Sequence, residues 1–369
     1  MHIKHISLKG FRNYENEEIE LNKGVNIFHG QNAQGKTNII ESIYLLSTGK
    51  SHRSQKDNEL IKWNNEESKI KIYYEKENQD NTLEMYLKKN QKKSIKHNGV
   101  KLSKTGELLG NLITVIFSPD HMKIIKEGPA ERRRFVDIIL SQVKPGYFYN
   151  LSQYVKLVMQ RNNLLMQAKN NSKLIDTIEI WDQQLIEYGT KVMKERIEFL
   201  KIIGVYSNQI HKNITNNKEN LKMVYKSSIE YKEQNEQQIK ENFKKELEKF
   251  RAIDIKRGVT HKGPHRDEIL FYINDMEVKT YGSQGQQRTT LLSLKISELQ
   301  FMNNETDSYP ILLLDDVFSE LDTERQKFLM EFIKDIQTFI TCTDVEYFKN
   351  FQTDNYSLFN VIDGKTYQK

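Results

Sequence analysis

The chain opens on short apolar beats. Ile3, Ile6 and Leu8, then Glu18 to Leu21, then the mostly apolar run Val25 to Phe28 predict three strands within the first 30 residues. Thr37 to Leu46 (TNIIESIYLL) carries apolar residues at helical spacing. Lys69 to Tyr74, Thr82 to Leu87 and Lys93 to Leu102 read as a meander, with Asn98-Gly99 where a type I′ hairpin turn belongs. Leu112 to Phe117 is a further strand, stopped by Ser118-Pro119. The pattern then turns helical over Pro129 to Val143, Tyr147 to Lys169, Ile175 to about His211, and Glu241 to Phe250. Strand signals return at Leu221 to Ile229 and Glu268 to Ile273. Strand and helix alternate from there: helix Gly285 to Asn304, strand Pro310 to Asp315, helix Thr323 to Ile336, strand Thr338 to Thr343. Two polar stretches, Asn213 to Asn220 and Tyr231 to Gln238, read as exposed connections. No internal repeat is visible. The expectation is an α/β fold with an inserted, mainly helical lobe: residues 1–117 and 260–369 form one split lobe, and 118–259 the insert.

Composition narrows the class. Aromatic residues at 10% exclude a disordered chain, and 369 residues suit two cores of ordinary size. No run approaches the roughly 18 to 20 apolar residues of a membrane span. Met1 to Gly10 has no secretory pattern, and Cys342 has no cysteine to pair with. A cytoplasmic protein without membrane partners is therefore expected.

The net charge of +6 alters little, because 44 of the 56 basic residues are Lys, a bias that A+T-rich coding explains. The bias is useful as a filter, since the 12 remaining Arg mark places where a planar fork is needed. Charge matters more locally. Residues 88–104 hold seven Lys and no acid. Such a hairpin either contacts nucleic-acid backbone through Lys88, Lys89, Lys92 and Lys93, or is a Lys-biased solvated surface. Arg132, Arg133 and Arg134 have the same two readings.

Two segments carry phosphate chemistry. Gly30-Gln31-Asn32-Ala33-Gln34-Gly35-Lys36-Thr37 fits G-x-x-x-x-G-K-[ST], the Walker A pattern, between an apolar strand and a helix. Backbone N–H groups of such a loop wrap a triphosphate, Lys36 reaches the β and γ phosphates, and the Thr37 hydroxyl binds Mg²⁺. Ile311 to Asp316 (ILLLDD) is an apolar strand ending in two carboxylates at the ligand edge of a parallel sheet. There Asp315 would hold Mg²⁺ and Asp316 polarise the attacking water. Each motif also has a plain reading, a Gly-Lys surface turn and a solvated acidic turn. Together they are complementary parts of one site. Ser283 and Gly285, at a predicted helix start, offer a hydroxyl and N–H groups to an anion.

Several segments, in order, resemble one known family: FRNY (Phe11 to Tyr14), GQNAQGKTNIIESIYLLSTGKSHR (Gly30 to Arg53), FSPDHMKIIKEGPAERRRFVD (Phe117 to Asp137), GPHRDE (Gly263 to Glu268), SQGQQRTTLLSLK (Ser283 to Lys295) and LLLDDVFSELD (Leu312 to Asp322). They are similar to the RecF family, DNA replication and repair proteins of the ABC/SMC-like ATPase heads. The resemblance implies an ATP-binding lobe built from both ends of the chain. It also implies a signature, Ser283 to Gln286, that meets the γ-phosphate held by a second subunit. ATP would then glue a homodimer that hydrolysis releases, with Ser319 to Asp322 along the interface. Arg53, Arg133, Arg266 and Arg288 become candidates for phosphate or interface contacts. No Gln stands at Ser118 to Asp120 and no His at Thr341 to Asp344, and Asp316 stands where many relatives of this type carry Glu. The expectation is a slow, DNA-stimulated ATPase. The family further implies action at gapped and single-stranded DNA and junctions, with RecO and RecR, in RecA loading and SOS induction. A transporter ATPase subunit, an SMC-type protein and a pure DNA clamp fit less well. The first lacks its LSGGQ segment, the second its long heptad arms, and the third would dimerise without ATP.

Overall fold

The computed structural model describes residues 1–169, 171–231, 235–348 and 355–368. Residues 232–234 of the connection expected at Tyr231 to Gln238 lie outside them. In chain order the first elements are β1 (His2–Phe11), β2 (Tyr14–Glu20), β3 (Val25–His29), α1 (Lys36–Thr48), β4 (Glu67–Lys76), β5 (Gln79–Lys88), β6 (Ser94–His97), β7 (Val100–Lys101) and β8 (Thr114–Phe117). There follow α2 (Lys123–Lys126), α3 (Pro129–Val143), α4 (Pro145–Ala168), α5 (Ile178–Ile214), β9 (Leu221–Lys226), α6 (Glu236–Arg257), β10 (Glu268–Ile273), β11 (Met276–Glu277) and α7 (Val278–Tyr281). The last are α8 (Gln284–Thr306), β12 (Ile311–Asp315), α9 (Thr323–Phe332), β13 (Thr338–Cys342), β14 (Tyr356–Ile362) and β15 (Lys365–Gln368).

These form two compact units, Met1–Met122 with Lys295–Lys369, and Lys123–Leu294. The second changeover thus falls inside α8 and not at residue 260. Its cause is strand pairing: β10 runs antiparallel to β9 from Glu268↔Lys226 to Ile273↔Leu221, which keeps residues 268–273 with the insert. The insert also carries a three-stranded sheet, ordered β11-β10-β9, beside its helices.

The first unit has two six-stranded sheets. One is antiparallel, ordered β2-β1-β4-β5-β6-β7. The uneven spacing of Ile3, Ile6 and Leu8 comes from a register shift between Ile3 and His5, a bulge that turns all three inward. Asn98 and Gly99 join β6 to β7 with φ of 49° and 80°, the positive pair a type I′ turn needs. The other sheet is ordered β15-β14-β3-β13-β12-β8, with only β15 antiparallel. β12 and β13 are buried along their whole length, as parallel strands covered on both faces are. α1 shares one apolar core with residues of both sheets, including Ile6, Ile72, Phe28 and Phe339. Every residue from Ile39 to Ser47 is buried, so the helix has no solvated face. One of them is Glu41, which needs a counter-charge. Arg12, in the β1–β2 turn, supplies it with Nε at 2.8 Å and Nη2 at 2.7 Å from the two carboxylate oxygens. Breaking such a buried pair costs about 3–5 kcal/mol. The pair fastens the turn that bears Asn13 and Tyr14 against α1.

In the second unit α5 runs 37 residues, about 55 Å at 1.5 Å per residue. Arg161 of α4 is fully buried and joins three helices, with Nε on Asp182 (α5) and Nη1 on Asp254 (α6), both at 2.7 Å. Among the described residues no helix is long and apolar enough to cross a membrane.

Candidate active site

The phosphate-loop sequence joins β3 to α1 in the first unit. Gly30 has φ 146°, and a Cβ there would sit 2.5 Å from the Val361 carbonyl of β14. Ala33 takes a left-handed φ of 65°. Gly35, at φ 118°, caps α1 without a side chain, and no acid occupies the first turn. The partial positive end of the helix is therefore left for an external anion. The Lys36 ammonium donates to the carbonyls of Gly30 and Gln31, each at 2.7 Å. Burial lowers its pKa, and the carboxylates of Asp315 and Asp316 pull the other way.

The loop is braced on two sides. From the β1–β2 turn, Asn13 Nδ2 donates to Gln34 O at 2.8 Å and Tyr14 donates its hydroxyl to Gly35 O at 3.1 Å. Asn13 Oδ1 accepts from Asn38 of α1 at 2.9 Å, and Asn38 Oδ1 accepts from Arg53 at 3.1 Å. From the β14–β15 turn, the Gly364 N–H donates to Gln34 O at 3.0 Å and the Asp363 N–H to Gln34 Oε1 at 2.7 Å. Thr366 ties β15 back to Glu17 of β2 through its N–H at 2.6 Å. Sequence reasoning missed these braces. In the sequence, FRNY carries no signal beyond its match to the family, because its partners in the loop are 21 residues on.

Asp315 ends β12 beside the loop. Its Oδ1 accepts from Thr37 Oγ1 and from Thr341 Oγ1, both at 2.7 Å. Asp316 follows with φ 53° and is exposed. Its N–H is held by Thr341 Oγ1 at 3.0 Å. Partial desolvation raises the Asp316 pKa, and the neighbouring Asp315 and Glu320 carboxylates add to this against Ser319 and Lys36. Cys342, in the stretch Thr341 to Asp344 where no His stands, is a buried thiol pushed up to about 12 by burial. Lys36, Thr37, Asn38, Arg53, Asp316 and Thr343 help line a cleft of about 250 Å³. Among the described residues no three His, Cys, Asp or Glu side chains cluster to hold a metal alone. Thr37 and Asp315 fit Mg²⁺, which binds through one or two protein oxygens, water and substrate phosphates.

The signature lies in the second unit. Ser283 Oγ accepts from the Gln286 N–H at 3.2 Å, and Gln286 Oε1 accepts from the Ser283 N–H at 2.9 Å. These reciprocal bonds form a capping box, so Ser-x-x-Gln here is first a helix-start device. Ser283 is exposed.

The arginines separate. Arg132 is 2% exposed and spends its guanidinium on Glu268 at 2.8 Å and on the carbonyls of Ile124 and Glu127. It is unavailable to DNA phosphates, which corrects the expectation. Arg133 is half-buried and donates to Asp267 O at 2.6 Å, and burial lowers its pKa. Of the three, Arg134 alone is exposed. Arg266 ignores the adjacent Asp267 and donates to Thr260 O at 2.9 and 3.0 Å.

The basic hairpin is less bare than its sequence. Lys89 pairs with Glu66 and Lys93 with Asp57, each at 3.0 Å, because β5 ends beside the 57–66 segment. Lys88, Lys92, Lys96, Lys101 and Lys104 are exposed.

Comparison with known proteins agrees with this geometry. The family model described as the RecF/RecN/SMC N terminal domain matches residues 2–366. The DNA replication and repair protein RecF of Acetivibrio thermocellus is 45% identical over 368 residues, covering 100% of both chains. That of Ruminiclostridium cellulolyticum is 46% identical over 367 residues, 99% of this chain and 98% of its own. Among solved structures, the recombination mediator protein RecF-ATP in the RecFOR pathway superposes with a TM-score of 0.93 at 38% identity. It covers 100% of this chain and 97% of that one. An Smc head bound to the C-winged helix domain of ScpA gives a TM-score of 0.59 at 16% identity over 100% and 97% of the two chains, a likeness of fold alone. The fold is that of an ABC-type ATPase head, and with near-complete matches at this identity the chain belongs to the RecF family of DNA replication and repair proteins.

Proposed function

We propose that this chain is an ATP-dependent, dimerising ATPase of recombinational repair and replication restart. The observation that carries the reading is the 2.7 Å bond from Thr37 to Asp315, which joins the phosphate-loop sequence to a carboxylate 278 residues away. That pairing has a use where a nucleotide–metal complex binds. ATP lies along residues 30–37, with the N–H groups of Gly30, Gln31, Asn32, Ala33, Gln34 and Gly35 turned to its phosphates. Lys36 exchanges its two loop carbonyls for phosphate oxygens. Thr37 and Asp315 hold Mg²⁺, which would offset the charge that builds on the phosphates. Asp316, anchored through its N–H, orients the attacking water. Its raised pKa favours taking the proton, but its side chain is one methylene shorter than Glu and reaches less far to the water, in keeping with slow, DNA-stimulated hydrolysis. A partner copy brings Ser283 and Gly285 to the same ATP, so that ATP favours the homodimer and hydrolysis undoes it.

The exposed Lys88, Lys92 and Arg134 contact DNA backbone at gapped, single-stranded and junction sites, while Lys89 and Lys93 stay on Glu66 and Asp57 and Arg133 on the Asp267 carbonyl. The RecFOR name of the solved relative supports RecO and RecR as partners. RecA loading, SOS induction and a cytoplasmic location come with the family resemblance. Light scattering with no nucleotide, ADP, ATP and DNA tests the switch, which predicts a monomer that dimerises with ATP alone. Lys36→Arg should lower ATP turnover at least about a hundredfold, the scale of losing one preorganised charge contact. Wild-type turnover in that variant would overturn the reading.

A further inference from the structure

Gln286 spends its side chain inside its own subunit. Oε1 takes the Ser283 N–H, and Nε2 donates to Glu219 Oε1 at 2.8 Å. Glu219 is itself held, since its Oε2 lies 2.9 Å from Nε2 of His211. A proton on that nitrogen makes the contact a charge-assisted hydrogen bond. His211 is fully buried in the last turn of α5, and its Nδ1 lies 3.2 Å from Ser293 Oγ. Residues 286 and 293 are seven apart and so share one face of α8. The His211–Glu219 pair therefore grips that face at both ends of two turns.

The loop carrying Glu219 is tied down as well. The Asn217 N–H donates to Lys212 O at 2.8 Å, the Asn220 N–H to Asn274 Oδ1 at 2.9 Å, and the Leu221 N–H to Asn208 Oδ1 at 3.0 Å. A surface helix start already capped by Ser283 needs no buried histidine and second carboxylate merely to form. It needs them if the first turn must keep one orientation while a ligand pulls on it.

We propose that Glu219, set by His211, is a positioning residue for the signature, and that Gln286 is its brace and makes no direct contact with nucleotide. Ser283 and Gly285 are then the groups presented to the partner subunit's ATP. This deepens the ATP-dimer reading and rests on it.

The pair can be broken and rebuilt. Glu219→Gln turns one N–H of the new amide toward a donor, so the bond to Gln286 or the bond to His211 is lost. Adding Gln286→Glu restores all three bonds. The carboxylate now at 286 accepts from the Ser283 N–H and from the amide at 219, whose oxygen accepts from His211. The measurements are binding of a fluorescent ATP analogue to the monomer, ATP-driven dimerisation by light scattering, turnover at saturating ATP, and amide hydrogen exchange across residues 283–290 without nucleotide. The single variant should keep monomer ATP affinity within about twofold. Its dimerisation and turnover should fall roughly tenfold or more, the scale of one charge-assisted bond, and exchange should quicken. The double variant should recover to within about threefold of wild type on all of these. A single variant equal to wild type overturns the proposal, as does a double variant no better than the single. A wild-type chain that stays monomeric with ATP defeats the dimer reading instead, and the exchange data still judge the brace.

Discussion

Replacing His265 should flatten the acid limb of the second unit's stability. The ring lies between two groups that suit its neutral form: the Tyr154 hydroxyl is 2.6 Å from Nδ1, and Nε2 is 3.0 Å from Thr260 O. Burial pushes its pKa from 6.5 down to about 4; the bond to Thr260 opposes this, while Arg266, Arg133 and Arg196 reinforce it. The unfolded chain takes up its proton near pH 6.5 and the folded chain only near pH 4. Between those values the unfolded state binds more protons, so stability falls as pH falls. Integrated from pH 7.5 to 4.5, the loss is about 2.5 kcal/mol. His265→Gln keeps a donor for Thr260 and an acceptor for Tyr154 but cannot titrate. The chain's two tryptophans make the assay selective, since Trp63 belongs to the first unit and Trp181 to the second. In a Trp63→Phe background, Trp181 fluorescence reports urea unfolding of the second unit alone. Other groups that titrate in this range are common to both proteins and cancel in the difference. Wild type should lose about 2.5 kcal/mol more than the variant over this range. Parallel pH profiles would refute the reasoning.

Three further outcomes test the first unit. Gly35→Ala places a Cβ at φ 118° within 2.7 Å of Asn13 Nδ2 and 2.9 Å of the Tyr14 hydroxyl. The strain of about 1–3 kcal/mol should weaken fluorescent-ATP binding by about fivefold to a hundredfold while Trp181 unfolding is unchanged. Thr341→Val keeps the shape but removes the bonds to Asp315 and the Asp316 N–H. Turnover should drop roughly ten- to a hundredfold with little change in ATP affinity, as steady-state kinetics will show. Lys88→Ala with Lys92→Ala should lower the log–log salt slope of DNA binding by about 2, whereas Lys89→Ala with Lys93→Ala, whose ammoniums face Glu66 and Asp57, should change it by under about 1.

The parts of the site that are local in sequence were legible. A strand, a glycine-bearing loop and a helix follow one another, and so do ILLL and its two aspartates. What was illegible is what the topology brings from afar. The alternating run YSLFNVI becomes β14 only because β3 offers it a parallel edge, and its turn then reaches Gln34. The hairpin read as acid-free because its counter-ions come from residues 57–66. Arg132 read as a surface charge because its partner, Glu268, lies 136 residues away. The capping box hid inside the signature because one Ser-x-x-Gln serves both uses. The helical reading of 241–250 stopped short of α6, which runs from Glu236 to Arg257 and whose first turn, EQQIK, holds Ile239 as its one apolar residue.

The order of strands also sets a timetable. β3 ends at His29, yet its neighbours β13 and β14 begin at Thr338 and Tyr356. At roughly 5–20 residues per second, a ribosome needs on the order of 15–60 s to make the intervening chain. Throughout that interval an apolar strand and the phosphate loop behind it have neither flank. Residues 123–294 are continuous and wait for nothing outside themselves, so the younger unit should finish folding before the older one. The nascent chain should therefore be most exposed to proteases and aggregation, and most dependent on chaperones, while its completed insert is already native. A chain released before residue 356 would leave the synthesis machinery with one sound unit and no working nucleotide loop.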